Sequence, residues 1–151
     1  MLREKIKAEL VAAMKAKDEA KTSTLRMIGA ALKDKDIAAR PSGKTDGISD
    51  DEILSMFQSM IKQRKESVEL YEKGGRADLA DKEKKEIELI SSFLPAQMDD
   101  DAIKTAIQET IAATGASSIK DMGKVMGALR AKYAGQMDFG KASGLIKSLL
   151  G

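Results

Sequence analysis

Three sets of residues in this chain have types and spacings that could do chemistry. The first is an arginine out of place. At 100° per residue Phe57, Met60, Ile61, Val68 and Tyr71 share one face of a helix, and Arg64 falls in the middle of it. A following stripe of Leu79, Ile87, Ile90 and Leu94 has the matching fault, with Glu83 and Glu86 in or beside it. If Gly74-Gly75 closes a helical hairpin, Arg64 stands opposite Glu86 with Glu83 one turn away. Paired carboxylates can do general acid/base work when one has a raised pKa, but an arginine between them keeps both ionised. The expected role is therefore a structural ion pair of Arg64 with Glu86 and Glu83. The alternative is an Arg64 that lies along the edge of the face and carries its charge out to water.

The second set is cationic. Residues 102–151 hold Lys104, Lys120, Lys124, Arg130, Lys132, Lys141 and Lys147 against Glu109, Asp121 and Asp138, a local excess of positive charge. Such a face can neutralise phosphates, and no aromatic pair is spaced to make a stacking platform for single strands, so the matching ligand is a folded, duplex-like nucleic acid. A plain solvated surface has the same composition. The third set is Met122-Gly-Lys-Val-Met-Gly127, where Gly123 and Gly127 recur four apart on a helix at about 1 kcal/mol each relative to alanine. Either the last helix packs closely there, against Ala142, Gly144 and Leu145, or a phosphate reaches Gly123, Lys124 and the free N–H groups of the helix start. Gly115-Ala-Ser-Ser118 has the look of a serine amidase fragment, but no lysine base surrounds it, and a loop with a helix cap is the better reading.

The whole composition narrows the classes further. The chain has no histidine and no cysteine, which removes the commonest general base, thiol catalysis and thiolate metal sites. No cofactor or metal is expected. Net charge is only +2, so any nucleic-acid contact must come from a local face. Met1 leads into a charged amphipathic segment with neither a signal peptide's apolar run nor a membrane span, and the cytoplasm is the expected address.

The elements that must position these residues are helical. Aromatics are 3% of the chain, and Ala, Leu, Met, Lys and Glu dominate, so an all-α fold with an aliphatic core is expected. Periodicity gives helices at about 2–17 and 21–38, then a loop, Arg40-Pro-Ser-Gly-Lys-Thr-Asp-Gly47, expected through residue 48 to be the most mobile internal segment. Ser49 and Glu52 have capping-box spacing before a long helix to about residue 73, which Gly74 and Gly75 stop in left-handed conformation. A fourth helix ends before Pro95, and Pro-Ala-Gln-Met-Asp-Asp-Asp101 is a linker and acidic first turn. Three short helices follow at about 100–114, 121–134 and 138–150, with Asp121 and Asp138 available as caps. The expected organisation is an N-terminal helical domain, 1–94, built on a long antiparallel hairpin, and a three-helix bundle, 97–151.

Six ordered segments carry a resemblance: Thr24-Leu-Arg-Met-Ile28, Lys62-Gln-Arg-Lys-Glu-Ser67, Gly75-Arg-Ala-Asp-Leu-Ala80, Phe93-Leu-Pro-Ala-Gln97, Met122 to Gly127, and Gln136-Met-Asp-Phe-Gly-Lys-Ala-Ser-Gly-Leu-Ile-Lys147. Together they resemble the YqeY-like family, whose C-terminal part is similar to the tail of the GatB subunit of glutamine-dependent aminoacyl-tRNA amidotransferases. In that enzyme, the resemblance implies, the tail helps to hold tRNA, while catalysis belongs to parts that have no counterpart here. What carries over is a tRNA-binding accessory role, the family label of carbon–nitrogen ligase with glutamine as amido donor, and no catalytic residue. Partners would be tRNA or another folded RNA, and amidotransferase or aminoacyl-tRNA synthetase machinery. The candidate contact residues are Lys120, Gly123, Lys124, Gly127, Arg130, Lys141 and Lys147. Phe139 departs from the family pattern, where a small residue is usual, and brings bulk to the start of the last helix. Two readings stand beside this one: a protein–protein adaptor with Met-rich faces, and an amidotransferase component catalytic only in complex.

Overall fold

The computed structural model describes residues 1–151, and it is all-α, in two compact units, Met1–Phe93 and Leu94–Gly151.

The first unit contains α1 (Leu2–Lys15), α2 (Glu19–Ala39), a 3-10 turn (Arg40–Ser42), α3 (Asp50–Lys73) and α4 (Ala77–Ser91). α1 and α2 meet at a turn in which Lys17 takes φ 56°, and Asp18 then caps α2 by accepting from the Lys21 N–H at 3.1 Å. α3 opens on the Ser49/Glu52 capping box, with three acidic residues in its first turn facing the positive end of the helix dipole. It stops at Gly74 and Gly75, but only Gly75 is left-handed, at φ 72°, whereas Gly74 keeps φ −83° and continues the helical bonding to Leu70. One residue suffices to reverse the chain because the next N–H groups reach back to Glu72 and Tyr71. α3 and α4 then lie antiparallel, the most extensive pairing in the unit. Leu25, Ile28, Ile53, Phe57 and Ile90 are completely buried between the helices, and the Phe57 and Phe93 rings stack at 5.3 Å.

The segment after α2 is tied down more than its composition suggests. Arg40–Ser42 forms a helical turn, and Ile48 is 7% exposed within the core. Arg3 grips Asp36 through two bonds of 2.6 and 2.7 Å and also donates to the Ile48 carbonyl at 2.8 Å, while the Ile48 N–H donates to Asp36 at 2.9 Å. Gly47 passes this knot at φ 97°, and a Cβ there would lie 2.6 Å from the Asp36 carboxylate. Glycine is required on both counts. Nothing in the periodicity of residues 3, 36 and 48 signalled that they meet.

The second unit contains α5 (Asp100–Thr114), a 3-10 turn (Ile119–Asp121), α6 (Met122–Tyr133) and α7 (Phe139–Leu150). Ile107, Val125, Leu129, Met137, Ala142 and Ile146 are wholly buried at its centre. Asp99 caps α5, Asp138 caps α7, and Gly115 ends α5 at φ 69°. The helix directions follow from contacts at the two ends. Met98 N–H donates to the Gln136 carbonyl at 2.8 Å, and Lys141 reaches Asp100 at 3.2 Å, so the start of α5, the end of α6 and the start of α7 share one end. Lys124 donates to the Thr114 carbonyl at 3.2 Å, placing the start of α6 at the end of α5. α6 is therefore antiparallel to both neighbours. No helix of the chain is long and apolar enough to cross a membrane.

Candidate nucleic-acid interface

Arg64 and its two carboxylates are brought together inside the first unit. Its Nε is 2.9 Å from Glu86 and 3.9 Å from Glu83, and its other nitrogens donate to the Met60 carbonyl at 3.2 Å and the Met27 sulfur at 2.8 Å. The Arg64 side chain is 11% exposed, so it does not carry its charge out to water, and Glu86 is similarly covered. Every face of the guanidinium is occupied from within the fold, which gives the cluster a packing role and leaves no open position for a substrate. No group of three or more His, Cys, Asp or Glu is arranged to hold a metal ion.

The seven cationic and glycine positions of the second unit are all exposed. On α6, Gly123 and Gly127 lie on the outward side between Lys124 and Arg130. A Cβ added at either glycine would meet no atom within 4 Å, and the same is true of Gly144 on α7. The expected close packing of α6 on the last helix through these glycines is therefore absent. The buried faces of the two helices are built instead from Val125, Met126, Leu129, Ala142 and Ile146, and the small residues face water.

The start of α6 is preceded by a turn that carries its own acid. The 3-10 turn runs straight into α6, the Met122 N–H donates to the Ile119 carbonyl, and Ser118 and Asp121 form a reciprocal capping box. The Asp121 carboxylate accepts from the Ser117 N–H at 3.0 Å and the Ser118 N–H at 3.4 Å, which holds its pKa below the ordinary carboxylate value. The chain's own acid thus occupies two backbone donors just ahead of α6, those of Ser117 and Ser118. Ser118 is a cap, as its loop setting suggested, and Asp121 makes no side-chain cap bond to α6 itself.

The cations differ in what they already touch. Lys141 is paired with Asp100, Arg130 lies over the Phe139 ring at 5.7 Å, and Lys132 lies over Tyr133 at 5.3 Å. Phe139 thus serves as a platform for Arg130. The Lys124 side chain is bonded to the last carbonyl of α5, whereas the ammonium groups of Lys120 and Lys147 make no ion pair or hydrogen bond. Lys124 and Lys141 touch opposite ends of a 15-residue helix, which is about 20 Å long at 1.5 Å per residue. A single phosphate cannot bridge them.

Comparison with known proteins gives the family. Residues 3–150 match the family described as Yqey-like protein. The chain belongs to that family. Curated relatives are each called "Altered inheritance of mitochondria protein 41, mitochondrial". The one from Vanderwaltozyma polyspora is 37% identical over 89 residues, 59% of this chain and 46% of the relative. That from Eremothecium gossypii is 30% identical over 124 residues, 82% of this chain and 62% of the relative. That from Lachancea thermotolerans is 35% identical over 89 residues, with the same coverage as the first. The chain spans about half to three-fifths of the length of these relatives. Their names overturn the expected cytoplasmic address, pointing to mitochondria. Lack of cysteine and of a membrane span are properties that a mitochondrial protein shares with a cytoplasmic one, so composition had no power to separate the two.

Proposed function

We propose that this Yqey-like protein is a tRNA-binding accessory, with the Leu94–Gly151 unit gripping folded RNA through its phosphates and no catalytic site of its own. The observation that carries this reading is the open glycine pair of α6. Gly123 and Gly127 each cost helix stability, about 1 kcal/mol relative to alanine, and no atom of the fold uses the space they leave. A backbone this bare, beside Lys124, suits close approach by a sugar–phosphate chain. The resemblance of the segment to the amidotransferase tail supports the same reading. The carbon–nitrogen ligase label would then describe the machinery that the protein assists, an amidotransferase or an aminoacyl-tRNA synthetase.

The test is a pair of substitutions with opposed effects. Gly127→Ala should leave the fold intact and stabilise it, whereas Gly127→Leu should weaken tRNA binding several-fold at unchanged helical content, by lifting the RNA from the helix. Parent binding should fall steeply with salt, since each phosphate contact contributes about 0.7–0.9 to the slope of log affinity against log salt. Full tRNA affinity in Gly127→Leu, or a salt-independent parent affinity, would defeat the proposal.

A second reading is favoured by the first unit. Val11 and Met14 share one face of α1 and are about half exposed, and Met14 opens onto a shallow groove lined by Lys17, Glu19, Thr22, Ser23 and Arg26. An adaptor that grips a partner helix would use such a face. Capture of a partner protein that survives high salt and is lost in Met14→Glu would support it.

A further inference from the structure

The cations of the second unit are not spread evenly along the bundle. At the end where α5 stops and α6 starts stand Lys120, Lys124 and, near the close of α7, Lys147. α7 must finish at this end, because its third residue, Lys141, is anchored at the first turn of α5, the helix spans about 17 Å, and it packs against the Ile119–Asp121 turn. The carboxylate of Asp121 is turned into the backbone there, and Glu109 stands more than a helical turn back along α5. The opposite end gathers Asp99, Asp100, Asp101 and Asp138, which offset Lys104, Arg130, Lys132 and Lys141. Three of those four cations are also engaged, with Asp100, Phe139 and Tyr133. Gly123 and Gly127 lie in the first half of α6, toward the cationic end.

We infer that RNA engages the bundle end-on, at the end formed by Lys120, Lys124, Lys147 and the open glycine face, and that the charge-balanced end, with Lys141 and Arg130, stays outside the footprint. This rests on the RNA-binding reading above and sharpens it by dividing its candidate residues. A polyanion is attracted where cations are unopposed, and gains little where an equal number of carboxylates offsets them. Lys120 and Lys147 need break no existing contact to meet a phosphate, whereas Lys141 must first leave Asp100. Ile119, in the turn before α6, and Leu149, near the close of α7, are each about half exposed.

The experiment uses the full chain and an unmodified tRNA transcript at about 50 mM salt. Lys120→Glu/Lys124→Glu/Lys147→Glu should lose at least about tenfold in affinity, and Arg130→Glu/Lys132→Glu/Lys141→Glu less than about threefold, both at unchanged helical content. Amide shift changes on adding the transcript to the parent protein give a readout independent of any variant, and should cluster at residues 115–127 and 145–150. Equal losses in the two triple variants, or shift changes centred on residues 97–104, would overturn the end-on footprint while leaving RNA binding in place. A parent protein that ignores the transcript but binds polyglutamate would overturn both readings and reassign the cationic end to an acidic protein surface.

Discussion

The two units use charge in opposite ways. In Met1–Phe93, Arg64 and Arg3 are drawn into the fold, with Arg64 11% and Arg3 26% exposed, each satisfied by a carboxylate and a backbone carbonyl. In Leu94–Gly151 the core is aliphatic without a charged member, and every charged side chain but the half-buried Asp121 is exposed. Removing an internal charge therefore threatens the fold of the first unit, whereas removing an external one in the second leaves the fold alone and changes what the surface can attract. The difference teaches where each unit keeps its specificity: in helix pairing for the first, in surface field for the second.

The strongest way to break this contrast is at Arg64. Arg64→Ala strands Glu86 among apolar residues and should destabilise the first unit by about 3 kcal/mol, while Arg64→Met/Glu86→Leu should recover most of the loss. Denaturant unfolding followed by residue-resolved amide signals should show the loss confined to residues 1–93. A loss below about 1 kcal/mol would mean that the pair behaves as a surface one.

Next in size is the Arg3–Asp36 knot, where Arg3→Ala should cost about 1–2 kcal/mol and release the Ile48 backbone. The Arg3 guanidinium, followed by the Ile48 N–H, holds the Asp36 carboxyl below its ordinary pKa. Its contribution is therefore fully present above the unfolded value of about 3.9 and is lost as pH falls through the lower folded value. Asp36→Asn should flatten the acid limb of the stability curve below about pH 4, measured by thermal unfolding. The same knot sharpens the expectation for the preceding loop: residues 41–46 should exchange amide hydrogens quickly, but the Ile48 N–H slowly, because Asp36 accepts from it.

In the second unit the effects should be small or of the other sign. Gly123→Ala and Gly127→Ala should each raise its stability by up to about 1 kcal/mol, since the added methyl meets nothing. Smallest of all, Lys141→Ala should change stability by less than about 0.5 kcal/mol, because its bond to Asp100 joins side chains 59% and 80% exposed. A larger loss at Lys141 would erase the distinction between internal and external charge.

Much of this was legible in the residues alone. Helical periodicity, the Ser49/Glu52 box, Asp138 before its helix, and Gly75 and Gly115 after theirs give the all-α architecture, because caps and amphipathic stripes are local properties read within one or two turns. Arg64 announced a partner because a charge in an apolar stripe violates its own helix. The Arg3–Asp36–Ile48 knot was invisible because its members are 33 and 12 residues apart and none breaks a local pattern. The glycines of α6 were visible as a cost, but only the packing of α6 decided that they face water, since the rotation of a helix is set by which side buries most apolar surface. Sequence by itself determined the helices and their internal faults. Tertiary structure alone decided that Lys120, Lys124 and Lys147 gather at one end, because charges far apart in the chain become neighbours only when helix direction is settled.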